Sequence, residues 1–230
     1  MSWPGALPHD DPDRGWVAPG ARQRVPDWFL PLLDVADQVT AADLALHSWT
    51  AASRQGAVLI LVGDGPAGPD VLLLQRAATM RTHAGQPAFP GGAMDPDDDG
   101  VIATALREAV EETGLEPAGV DVVATLPQLY LPPSSFVVIP VLAWWRDPSP
   151  IRAASAAEVA SVHRVAVAEL ADPANRLQVR HPAGFTSPGF RVQGLLVWGF
   201  TAGILDRLLD LSGWAQPWDE SSVVDLPIGR

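Results

Sequence analysis

A chain of 230 residues, 47% of them apolar, is long enough for one sizeable domain and can bury a substantial core. Its formal net charge of −12 argues against a nonspecific nucleic-acid binder, which needs a basic surface, but is compatible with a small anionic ligand held by local cations. With no cysteine, disulfides, thiolate metal sites and a thiol nucleophile are all excluded. The first residues lack a basic segment followed by an apolar run, and no apolar run reaches membrane-spanning length. A cytoplasmic protein with no membrane partner is therefore expected.

Residues 1–25 are rich in Pro, Gly and Asp and carry Trp3 and Trp16; they read as an irregular arm. Residues 26–39 predict a short helix with Trp28, Leu30, Leu33 and Val35 turned inward and Pro31 in the first turn, where it is tolerated. A second short helix is predicted over residues 41–48. The apolar run 56–63 predicts a central strand. Residues 64–69 have turn chemistry, and residues 70–76 return as a second strand. Residues 77–85 read as a loop, and 86–89 as a short strand entering a tight turn at Pro90-Gly91-Gly92. A helix follows over 100–113. Strands are predicted over 120–130 and 136–146, with Trp144 and Trp145 on opposite faces, and over 157–167. A helical turn at 167–171 precedes a closing hairpin, 177–181 with 190–197, whose loop 182–189 carries Phe185 and Pro188 and would border a pocket. Thr201, Ile204, Leu205, Leu208 and Leu209 recur at helical spacing over 198–211, and the helix ends near Gly213. The tail, 215–230, has Trp218 and little pattern, and is expected to be ordered only if docked. Strands interleaved with two substantial helices predict an α/β fold with a mixed sheet covered on both faces.

The 100–113 helix carries the chemistry. Asp98 or Asp99 caps its start, Gly114 suits a left-handed end, and Pro117 blocks continuation. Glu108, Glu111 and Glu112 fall three and four residues apart and share one face; Ile102, Leu106, Ala109, Val110 and Thr113 gather opposite, for burial. Like charges so placed repel by roughly 0.2–0.5 kcal/mol per exposed pair, and two of them sit at the unfavourable end of the helix dipole. Only Arg107 offsets this locally. The arrangement suits an external hard cation, which takes carboxylate oxygens; a solvated acidic face is the bland alternative. Upstream, Arg76, Arg81 and His83 add two fixed cations and an imidazole, suited to phosphate oxygens.

The run Arg107-Glu108-Ala109-Val110-Glu111-Glu112-Thr113-Gly114-Leu115 resembles the Nudix box, the signature of Nudix hydrolases. Counted from Gly92 to Arg107, the box is one residue longer here than usual, and Asp98 or Asp99 replaces its early Glu. Leu72-Leu73-Leu74-Gln75-Arg76, then Arg81, His83, Gly85-Gln86 and Phe89-Pro90-Gly91-Gly92, resemble the extra motif of the coenzyme A pyrophosphatase branch, with Leu74 in place of the usual Thr. Weaker similarity extends through Pro140 and residues 197–204.

This resemblance implies a Nudix-type α/β/α sandwich over residues 26–214, flanked by the arm and the tail. It implies hydrolysis of the diphosphate of coenzyme A or acyl-CoA to (acyl-)4′-phosphopantetheine and adenosine 3′,5′-bisphosphate. Mg²⁺ or Mn²⁺ would be held by Glu108, Glu111 and Glu112. Arg107 and Glu111 are assigned catalytic roles, although burial and metal occupancy decide which glutamate is the base. Arg76, Arg81, His83, Phe89 and Gly91 are assigned to the coenzyme A-like substrate, Gly91 through close backbone approach. Glu158 is a further acidic candidate, set against a solvated strand-start Glu. A homodimer is a family-level expectation. The alternatives are a Nudix hydrolase of another nucleoside diphosphate derivative (ADP-ribose, a dinucleotide or a nucleoside triphosphate) and a noncatalytic Nudix ligand-binding module.

Overall fold

The computed structural model describes residues 11–44, 54–80, 82–131 and 136–226. Residues 16–25, expected to be irregular, start with the strand β1 (Trp16–Val17) and the single turn α1 (Ala21–Arg24). Trp16 and Val17 pair with Thr125 and Ala124, which adds a strand to the main sheet. Gly15 permits this approach, because a β-carbon there would run into the carbonyl oxygens of Ala36 and Thr125. Trp3 lies outside the described residues. A 3-10 turn (Asp27–Phe29) leads into α2 (Leu30–Gln38), and Pro31 occupies its first turn as expected, where the missing N–H has no helical partner to lose. Residues 41–44 form a turn rather than a second helix; 45–48 lie outside the described residues.

At the centre is β2 (Arg54–Gly65), which hairpins tightly into β3 (Gly68–Arg76) through the pair Gly65↔Gly68. Alternation divides β2 between two cores: Ala57, Leu59 and Leu61 face one side, Ile60 and Val62 the other. Burial on both faces is why the run reads as continuously apolar. The short strands β4 (Pro87–Ala88) and β5 (Gly91–Ala93) precede α3 (Gly100–Thr113). The strand predicted over 120–130 is interrupted: β6 (Val120–Thr125) bulges at Val122/Ala124, and β7 (Leu129–Leu131) is separate. Next come β8 (Phe136–Trp145), β9 (Val159–Ala166), α4 (Val167–Ala171), β10 (Arg176–Arg180), β11 (Thr186–Val192), β12 (Leu195–Val197), α5 (Gly199–Leu211) and β13 (Val223–Asp225). Residues 186–189, expected in a loop, belong to β11.

The main sheet runs β1-β6-β8-β2-β3-β4, with β5 on β2, β7 on β8 and β9 on β3. The β2–β8 pair is parallel and the rest antiparallel, so the sheet is mixed, as predicted. On one face α3 packs Ile102, Ala105 and Ala109 on Leu59, Leu61, Leu72 and Trp145. On the other face α2, α5 and the second sheet, β12-β11-β10-β13, build the larger core. Trp145 and Trp144 do take opposite faces, Trp145 in the α3 core and Trp144 against the other. The result is the α/β sandwich with a mixed sheet. The tail is docked: β13 pairs in parallel with β10, and the Arg176 guanidinium lies between the Phe190 and Trp218 rings, 4.7 Å from each centroid. Among the described helices, none is long and apolar enough to cross a membrane.

Candidate active site

The helix α3 stops where predicted. Gly114 is left-handed at φ 67°, and its N–H donates to Val110 O at 2.9 Å. At the other end Asp99 is the N-cap residue but makes no side-chain cap hydrogen bond. Asp98 turns instead to Arg107, accepting from Nε at 2.9 Å and from Nη2 at 2.8 Å, a two-pronged pair. Thr104 Oγ1 and the Asp95 N–H also donate to Asp98, and the Arg107 guanidinium holds its carboxyl well below the usual carboxylate range. Asp98 is therefore the partner of Arg107, and the loop before α3 absorbs the extra residue.

Arg107 spends its remaining donors on the site. Nη2 reaches Ala93 O at 3.0 Å, and Nη1 reaches Glu108 Oε1 at 3.0 Å and Glu111 Oε2 at 3.3 Å. The three glutamates do not share one environment, contrary to the expected common polar face. Glu111 is 56% exposed, Glu108 is half-buried, and Glu112 joins the buried face with Ile102, Ala105 and Ala109. The reason is helical geometry: at 3.6 residues per turn, positions 111 and 112 point about 100° apart.

Glu112 is received by the sheet. The expected turn at Gly91-Gly92 is the strand β5, paired through Gly91↔Val58 and Gly92↔Ala57. The Gly91 N–H donates to Glu112 Oε2 at 2.9 Å. A β-carbon on Gly91 would run into Ala57 O and Val58, and one on Gly92 into the Glu108 carboxylate. Both glycines thus serve close approach, which the sequence suggested only in outline. Arg76, placed at the end of β3 beyond a bulge, brings Nη1 to 3.9 Å from Glu112 Oε1. Burial pushes the Glu112 carboxyl up to about 7, with Glu108 and Glu158 adding repulsion. Burial also raises Glu108, against the pull of Arg107. Glu158 thereby enters the field of the site, although its own side chain is exposed.

The remaining predicted residues divide. His83 stands in the loop after β3, exposed and left-handed at φ 56°, with Nδ1 3.0 Å from Gln86 Oε1. Gln75 Nε2 donates to Gly85 O at 3.2 Å and the Arg76 N–H to Gln86 O at 3.0 Å, which ties this loop to β3. Arg81 lies outside the described residues. Phe89 is corrected: its ring is buried in the larger core and anchors the strip before Gly91 instead of facing a ligand. Gln75 and Gln86 were missed as loop tethers; their place inside the upstream motif was the available signal. Among the described residues, no three His, Asp or Glu side chains already meet at a point that a metal ion would occupy. Arg107 Nη1 binds Glu108 and Glu111, and the Gly91 N–H binds Glu112.

An α/β sandwich that lays a glutamate-rich helix against a glycine strip, with an arginine beside it, is the frame in which the family has to be sought. Comparison with known proteins supplies the family. The NUDIX domain family matches residues 53–184. The chain is 44% identical over 162 residues to a protein named uncharacterized Nudix hydrolase NudL from Cronobacter sakazakii, covering 67% of this chain and 81% of that one. The like-named protein of Escherichia coli O6:H1 is 41% identical over the same shares. Among solved structures, RenU, a Nudix hydrolase from M. smegmatis, aligns with a TM-score of 0.50 at 20% identity, over 74% of this chain and 92% of that one. The chain belongs to the Nudix hydrolase family.

Proposed function

We propose that the chain is a divalent-metal-dependent pyrophosphohydrolase of coenzyme A or acyl-CoA. It would release (acyl-)4′-phosphopantetheine and adenosine 3′,5′-bisphosphate. The observation that carries the hydrolytic reading is the buried Glu112 carboxylate, held by the Gly91 N–H beside Glu108 and only 3.9 Å from Arg76. The coenzyme A specificity is supported by the motif over residues 72–92, in which Arg76 lies 3.9 Å from Glu112 and Gly85 and Gln86 tie the His83 loop to β3.

The donor set fits a hard cation. It consists of carboxylate oxygens with no sulfur, and Glu112 is a buried acid whose charge is opposed by its acidic neighbours. Glu108 and Glu112, with Glu111 where it does not serve as the base, would hold Mg²⁺ or Mn²⁺. When bound, such an ion supplies charge neutralisation on a phosphoryl oxygen and lowers the pKa of a bound water. The protein's own groups do the rest. Arg107 orients Glu108 and Glu111 from one nitrogen. Glu111, the most exposed of the three, is the general base that takes the proton of the attacking water. Arg76 offers its planar fork to the diphosphate oxygens; its Nε has no hydrogen-bond partner among the described residues. His83 has Nδ1 engaged by Gln86, which leaves Nε2 for a phosphate oxygen. Arg81 is assigned the same task by the motif. A homodimer and a cytoplasmic location accompany this reading.

The test is a panel of coenzyme A, acetyl-CoA, ADP-ribose, a diadenosine polyphosphate and nucleoside triphosphates, each with Mg²⁺ or Mn²⁺. Coenzyme A or its thioester is expected to turn over fastest. Fast turnover of another member without coenzyme A cleavage would transfer the assignment to that substrate. Binding without turnover anywhere would make the chain a ligand-binding module.

A further inference from the structure

Arg54 and Phe136, the first residues of β2 and β8, stand beside the glycine strip and take no part in the hydrolytic step. They face each other in the parallel register, and the Arg54 guanidinium lies over the Phe136 ring, 5.6 Å from its centroid. The ring is seated on the strip itself. A β-carbon on Gly56 would run into both Gly92 O and the edge of the Phe136 ring, so ring and carbonyl are neighbours across a glycine. Gly56 pairs with Ala93, whose O accepts from Arg107 Nη2, and the Met94 N–H donates to Gln55 O at 2.9 Å. Arg54 therefore stands at the Ala93 end of the strip, while Glu112 is bound at the Gly91 end.

The charge of Arg54 is uncommitted. Nine of the described arginines hold a carboxylate oxygen at 3.9 Å or less, in a chain with 27 acidic residues; among the described residues Arg54 has no such partner, and it is exposed. The alternation of β2 puts Arg54, with Gly56, on the side away from α3, which keeps it clear of Glu108 and Glu111. Its contact is a ring, which takes none of the N–H donors and leaves the planar fork free for oxygen acceptors. We infer that Arg54, held by Phe136, binds a phosphate that the substrate carries outside the diphosphate: in coenzyme A, the 3′-phosphate of the adenosine. This rests on the reading of the chain as a hydrolase of coenzyme A or its thioesters. The Gly91 and Ala93 ends of the strip are two strand residues apart, roughly 7 Å, on the order of one ribose that carries a phosphate at each end. ADP-ribose and the diadenosine polyphosphates have the phosphoric anhydride but lack that further phosphate, so Arg54 is a specificity-determining residue.

The experiment measures the binding of adenosine 3′,5′-bisphosphate and of AMP by calorimetry in the presence of Mg²⁺. The two differ only in the 3′-phosphate. Wild-type protein is expected to bind the bisphosphate about 10-fold or more tighter, the range of one charge-assisted contact. Arg54→Gln should bring the bisphosphate down to the affinity of AMP and leave AMP unchanged, which also reports an intact fold; Arg54→Lys should keep part of the preference. Equal binding of the two nucleotides by wild type, binding of neither, a preference undiminished in Arg54→Gln, or an equal loss for both nucleotides in that variant overturns the inference without touching the hydrolase reading. Coenzyme A left uncleaved while the preference holds strikes the hydrolase reading and leaves the phosphate site standing.

Discussion

Replacing Glu112 with Gln should strengthen the metal-free fold while removing activity. The side chain is 4% exposed, and burial pushes its carboxyl up to about 7 from an ordinary 4.5. A carboxyl raised in the folded state holds its proton more tightly there than in the unfolded chain. It therefore has no effect on stability below about pH 4.5, costs progressively more as the pH rises from 4.5 to 7, and costs its full amount above 7. At about 1.4 kcal/mol per pKa unit, the full cost is about 3 kcal/mol. Gln removes that cost and keeps an acceptor for the Gly91 N–H, but it leaves Arg76, 3.9 Å away, without its counter-charge. A net gain of about 1–2 kcal/mol at pH 8 is the expected outcome, shrinking toward zero near pH 4.5. Urea unfolding in EDTA at both pH values measures it. A Glu112→Gln protein less stable than wild type at pH 8, or a gain equal at both pH values, would mean that burial does not raise the Glu112 carboxyl.

Other expectations follow from the same contacts. Gly92→Ala puts a β-carbon into the Glu108 carboxylate, so turnover should fall about 100-fold by displacement of that group, with circular dichroism showing a folded protein. Asp98→Ala should lower turnover and cost about 1–3 kcal/mol in thermal unfolding, because Arg107 loses two charge-assisted bonds; Asp99→Ala should do neither. Arg107→Lys should lower turnover nearly as much as Arg107→Ala, since a point charge cannot span Asp98, Ala93 O, Glu108 and Glu111. Trp218→Ala removes one face of the Arg176 sandwich and should cost about 1–2 kcal/mol, with limited proteolysis cutting first after β10 or in the tail.

What the sequence disclosed, and what it withheld, follows locality. The helix over 100–113 was legible to the residue because its stop signal, Gly114, acts within one turn. The strand at 56–63 was legible because burial on both faces leaves an unbroken apolar run. By contrast, β1 and β13 are two- and three-residue strands ordered by distant partners, so composition alone made them look irregular. The box residues were legible as a motif, yet Glu112 looked solvent-facing. Its partner, the Gly91 N–H, lies 21 residues away in another strand, so spacing along the helix could not show it. The choice between Asp98 and Asp99 was equally closed, because loop conformation and not spacing aims Asp98 at Arg107.

If Glu112 and its neighbours make a cation-dependent centre for diphosphate cleavage, product forms only when both the ion and the carboxylate are present. The most direct measurement is chromatographic detection of adenosine 3′,5′-bisphosphate from coenzyme A, using wild type and Glu112→Gln, each with Mg²⁺ and with EDTA. Product is expected from wild type only with Mg²⁺, and at least about 100-fold less from the folded variant. Equal product from both proteins, or product from wild type undiminished in EDTA, would contradict it.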